Sequence, residues 1–114
     1  MIDESVIAVL KASLGDDGTV IRQLIDLYTK DSPQQLADAA VALAKSDMAA
    51  LSRAAHSLKS TSASMGATTV CDLARELEDL AKRSDLAQSA AVLERLKLEV
   101  NSAIAAFARI RLSS

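Results

Sequence analysis

Between Leu93 and Ile110 an apolar side chain returns to one side of the chain every three or four residues: Leu93, Leu96, Val100, Ile104, Phe107 and Ile110. That is the period of an α-helix and not the alternation of a strand. The signal recurs along the whole length. Val70, Leu73, Leu77 and Leu80 form a second stripe, with Glu78 and Lys82 expected to pair four residues apart on its wet face. Val20, Leu24, Leu27 and Tyr28 form a third, and Val6, Val9 and Leu10 a short fourth. The apolar residues are mostly alanine and leucine, with three glycines, one proline and little aromatic or β-branched sequence, so strands have almost nothing to grow from.

Punctuation divides these stripes into helices. Asp3 to Leu14 stops at Gly15, and a second helix starts at Thr19 after the GDDG turn. Ser32-Pro33-Gln34-Gln35 resembles a helix start, yet one long element kinked at Pro33 and running to Lys45 is the expectation. Asp47 can cap a third helix ending at Gly66, Thr69 with Asp72 fits a capping box for a fourth, and Asp85 opens the last. The connections are short, so consecutive helices should pack antiparallel. The expected fold is all-α: an up-down antiparallel four-helix bundle with a short additional N-terminal helix, one domain over residues 1–114.

Charge and composition exclude several functions. The net charge is −2 with the basic residues scattered, so no face is built to neutralise a nucleic-acid backbone. Two aromatic residues, Tyr28 and Phe107, are too few for a base-stacking platform. Cys71 is alone, which rules out an intrachain disulfide and suggests a reducing compartment, with the thiol a small buried apolar group. The opening MIDESVIAVLK lacks the basic region of a signal peptide, and no apolar run approaches the ~20 residues a bilayer demands. The expected location is cytoplasmic without direct membrane insertion, either alone or as the cytoplasmic module of a membrane-anchored parent.

The only histidine lies in AHSLKSTSASMGA, residues 55–67. On a helical wheel Leu51, Ala55, Leu58, Ser62 and Met65 share one sector about 80° wide, which must face the core. His56 then lies almost opposite Leu58 and points to water. Its neighbours Ala49, Ser52, Ser60 and Ala63 are all small, with Arg53 and Lys59 three residues to either side. Exposed helix faces are usually filled with long polar residues, so this clearing suggests that another protein comes close to the ring. One histidine and one cysteine cannot complete a usual zinc site, and no glycine-rich phosphate loop is present. What remains is an exposed nucleophile without its own catalytic apparatus. A neutral imidazole has one nitrogen lone pair able to attack a phosphoryl group activated elsewhere, and phosphoryl transfer depends chiefly on positioning and charge.

These residues resemble a known signature. His56-Ser57-Leu58-Lys59-Ser60-Thr61-Ser62 followed by Met65-Gly66-Ala67 is similar to the H-x-L-K-G-[SA]-[SA]-x-x-x-G-A motif of histidine-containing phosphotransfer (HPt) domains. Leu27-Tyr28 with Asp31-Ser32-Pro33, Ser46-Asp47, and Leu73 to Ala81 (LARELEDLA) also have counterparts there. The resemblance implies a four-helix bundle with a short extra helix. It implies that His56 is phosphorylated and that Lys59 is the cation near the phosphoryl group. Ser52, Arg53, Ser60, Ala63 and Gly66 are then the surface a partner approaches. Ser60 stands where the family commonly has glycine, which narrows that approach by a hydroxymethyl group. The implied partners are receiver domains of response regulators or hybrid histidine kinases, which supply the phospho-aspartate and Mg²⁺. This chain is expected to bind no metal or cofactor of its own and to be a monomer.

Two other functions share some of these features. The dimerisation and phosphoacceptor domain of a sensor kinase displays a histidine followed by an acid and, nearby, a proline; here Ser57 follows and no proline is near. An adaptor bundle that binds protein without chemistry would carry His56 incidentally.

Overall fold

The computed structural model describes residues 2–14 and 18–113 and contains five helices among them. They are α1 (Glu4–Leu14), α2 (Thr19–Ala44), α3 (Met48–Met65), α4 (Thr68–Lys82) and α5 (Leu86–Leu112). Gly15 and the two aspartates of the expected GDDG turn lie outside the described residues. Helices α2 to α5 form a ring of neighbours: α2 against α3, α3 against α4, α4 against α5, and α5 back against α2. Short turns make each consecutive pair antiparallel. At ~1.5 Å per residue the 27 residues of α5 span about 40 Å, close to the 45 Å long axis of the molecule.

Two of the turns are built alike. Lys45-Ser46-Asp47 and Arg83-Ser84-Asp85 each place the serine at positive φ (53° and 55°), while the aspartate caps the following helix. Asp47 accepts from the Ala50 amide and Asp85 from the Gln88 amide, both at 3.0 Å, as the sequence suggested. The third turn differs. Gly66 ends α3 at φ 76°, and α4 begins at Thr68 with Ala67 in the cap position. The capping box expected at Thr69 and Asp72 is therefore not the start of α4, because Thr69 is already inside the helix.

Gly66 is glycine for a second reason. A Cβ there would lie 2.7 Å from the Asp3 carbonyl oxygen and 2.9 Å from Val6 Cβ. The Asp3 amide donates to the Gly66 carbonyl at 2.7 Å, so α1 is seated directly on this turn. Among the described side chains of α1 Ile7 is the buried one, and Val9, expected on the inner side, is 63% exposed.

Helix α2 runs unbroken through Pro33 to a C-cap at Lys45. A proline inside a helix removes a backbone hydrogen bond and costs about 3 kcal/mol, which the buried face of α2 must offset. That face is Ile21, Ile25, Tyr28, Ser32, Leu36, Ala39 and Ala42. Tyr28 and, in part, Leu24 are buried as expected, but the line through Val20, Leu24 and Leu27 is one residue out of register: Val20 and Leu27 are exposed. Continued along the helix it meets Asp31 and Asp38, whereas the stripe one residue later stays burial-compatible to the end. Tyr28 ties three helices together. Its ring packs edge-on against Phe107 of α5, with centroids 5.2 Å apart, and its hydroxyl shares a 2.9 Å hydrogen bond with Ser62 of α3. No helix among the described residues is long and apolar enough to cross a membrane.

Candidate functional site

The Asp47 cap and the Gly66 stop fix the phase of α3, and the core then decides which way each side chain faces. Leu51, Ala55, Leu58, Ser62 and Met65 are all buried, so the expected sector is the observed one. His56 emerges on the outer side with 59% of its side chain exposed. Arg53, Ser60 and Ala63 are exposed beside it, and Ser52 is half-buried. Gly66 is not part of this surface. It is buried under α1, and its role is to end α3 and admit Asp3 and Val6.

Glu78 is the residue that sequence reasoning misplaced. It was expected on the wet face of α4, paired with Lys82. That contact exists at 3.7 Å, yet only 10% of the Glu78 side chain is exposed. The reason lies in its neighbours on the wheel. Ala74, Leu77 and Ala81, within one turn on either side, are all buried, so α4 presents this side to the bundle and α3 packs against it. An acid flanked by alanines at i−4 and i+3 on an otherwise apolar stripe was the available signal.

Across the α3–α4 seam the carboxylate meets both residues of the motif. Glu78 Oε2 lies 3.0 Å from His56 Nδ1, and Lys59 Nζ donates to Oε1 at 2.8 Å. Lys59 is only a quarter exposed, so it is not the freely solvated lysine of the wheel. The Lys59 hydrogen bond holds the Glu78 carboxyl below its usual range; burial opposes this, and the His56 contact and the charges of Lys59 and Lys82 reinforce it.

An ionised carboxylate can only accept, so the proton of a neutral His56 ring belongs on Nδ1. The lone pair is then on Nε2, the ring nitrogen not engaged by Glu78. The arrangement therefore presents one oriented nucleophile, braced from behind by a buried anion and flanked by a cation. A groove of about 680 Å³ lies elsewhere, between α1 and the C-terminal half of α5, and His56 does not line it.

Comparison with known proteins identifies the family and the fold. The family described as Hpt domain matches residues 23–106, which include all of α3 and α4. The crystal structure of histidine-containing phosphotransfer protein B (HptB) from Pseudomonas aeruginosa PAO1 is similar over 99% of this chain and 96% of that chain, with a TM-score of 0.91 and 30% sequence identity. No curated protein sequence matches. The chain belongs to the Hpt domain family, and its function is that of a phosphotransfer domain in a phosphorelay.

Proposed function

We propose that His56 is the residue phosphorylated in that relay, taking the phosphoryl group from an aspartyl phosphate of one receiver domain and passing it to an aspartate of another. The observation that carries this assignment is the exposed ring whose Nδ1 faces a buried carboxylate at 3.0 Å. The Nε2 lone pair attacks phosphorus, the new N–P bond forms, and the aspartyl C–O–P linkage breaks at its O–P bond. The receiver carboxylate departs with the electron pair. The ring now has a proton on Nδ1 and phosphorus on Nε2, so it carries positive charge. Glu78 is already in place to balance that charge, and a preorganised counter-charge needs no rearrangement during the step.

Lys59 supplies positive charge on the phosphoryl side, while Mg²⁺ and the remaining catalytic groups come from the receiver. The small or short residues Ser52, Ser60 and Ala63, with Arg53, leave room for the receiver to approach. Reversal of the same steps returns phosphate to an aspartate, so the direction of flow belongs to the partners. The domain works as a monomer in the cytoplasm, alone or as a module of a hybrid kinase.

Incubation with a phosphorylated receiver and Mg²⁺ tests this directly. The wild-type protein should gain one acid-labile, base-stable phosphate, and His56→Gln should gain none. Label persisting in the His56→Gln protein would reject the assignment. A His56→Gln protein that binds its partner and signals as well as wild type would support the adaptor function instead.

A further inference from the structure

The two lysines beside Glu78 are held in different ways. Lys59 is short and sheltered, 2.8 Å from Oε1 with a quarter of its side chain exposed. Lys82, one turn along α4 from Glu78 itself, is loose: 3.7 Å from Oε2 and 64% exposed. Before phosphorylation Lys59 is the lysine hydrogen-bonded to Glu78, and Lys82 stands at longer ion-pair distance as a second positive charge, one more than the single carboxylate needs. Its long, solvated geometry is what a surplus charge should show.

Phosphorylation changes this balance. A phosphoryl dianion is added and the ring becomes a cation, so the cluster gains one net negative charge. Lys59 is then drawn on by two anions at once. With Lys82 included, the dianion, ring, carboxylate and two ammonium groups are neutral. Without it one negative charge is uncompensated next to a carboxylate that is almost completely buried, where an unpaired charge is costly.

We infer that Lys82 is a reserve counter-ion, a positioning residue that closes on Glu78 when Lys59 is engaged by the phosphoryl group, and so stabilises the phosphorylated form. This rests on His56 being the phosphoacceptor. Lys82 acts through Glu78 and does not itself hold the phosphoryl group. Its removal should therefore matter only while Glu78 is charged.

The test measures the fraction of protein phosphorylated at equilibrium with a phosphorylated receiver and Mg²⁺. Lys82→Met should lower the ratio of phosphorylated to free protein by about fivefold, and Lys82→Arg should restore it. In a Glu78→Gln background the same Lys82→Met change should have less than about a twofold effect. An equal loss in both backgrounds would show that Lys82 meets the phosphoryl group or the receiver directly, and would overturn the inference; so would no loss in the wild-type background. Should the Glu78→Gln protein not fold, NMR of the lysine ammonium groups in the wild-type protein replaces it. Phosphorylation by phosphoramidate should slow proton exchange at Lys82 Nζ, and an unchanged Lys82 signal in a fully phosphorylated sample would overturn the inference equally. If wild-type protein takes no phosphate on His56, the functional assignment falls together with this one, and the label distinguishes that failure from the others.

Discussion

Helices α2 and α5 are joined across their seam by a carboxylate and a cation, and so are α3 and α4, but the two seams differ in what lies behind the ions. Asp26 receives two hydrogen bonds from Arg111, from Nε at 2.8 Å and Nη2 at 3.0 Å, and both side chains are about half exposed. Glu78 receives one from Lys59 at a similar distance, but it is nearly covered and also faces His56. By geometry alone the Asp26 pair is the better one, being two-pronged and planar. Water competes for its ions at every moment, however, so its geometry means little for stability. The Glu78 contacts are sheltered, and they engage the His56 ring at Nδ1. Distance does not rank these interactions; burial and connection do.

The largest effect that could break this contrast is at Glu78. Glu78→Leu should slow phosphate uptake by about tenfold or more, since it removes the group that orients the ring and balances its charge. Single-turnover transfer from a phosphorylated receiver measures this, and a rate equal to wild type would mean that the buried carboxylate is only structural. Lys59→Ala comes next. It should slow transfer several-fold and, because it strips a sheltered carboxylate of its closest partner, cost about 1–2 kcal/mol in urea denaturation. The wheel alone would have left the fold untouched by that change.

Acid sharpens the comparison further. The folded Glu78 carboxyl is held below its ordinary value of 4.5, chiefly by the Lys59 bond. A lowered carboxyl contributes stability that is fully present above the unfolded value and is lost as pH falls through the folded one. Unfolding midpoints taken from about pH 6 down to about pH 3 should therefore fall more steeply in wild type than in Glu78→Gln. Parallel curves would assign the acid sensitivity to other groups. The smallest effect belongs to the exposed pair: Asp26→Asn should leave both the unfolding midpoint at neutral pH and the transfer rate unchanged within error. A clear loss at Asp26 would erase the distinction drawn between the two seams.

Where the sequence was legible, a single strong constraint acted locally. The inner sector of α3 was readable because its other face holds only small and polar residues, leaving one possible inward side. Asp47 and Asp85 were readable as caps because each acts on an amide three residues away. Helix α2 was not readable in phase, since two adjacent apolar stripes compete near its start and only packing against α3 and α5 selects between them. The start of α4 was obscured in the same way: Ala67 holds the cap position because the Gly66 turn, pinned by α1, sets the path of the chain. Gly66 itself was placed correctly as a helix end and incorrectly as a docking residue, because α1 covers it from far away in the sequence.

Helical period, cap residues and the cleared patch around one imidazole are local properties, so the order of residues alone determined the bundle, the phase of α3 and the outward direction of His56. The pairing of His56 and Lys59 with Glu78 spans two helices, and no spacing rule reports it. Only packing brings α4 against α3, and only there does Glu78 reach both side chains from a sheltered position.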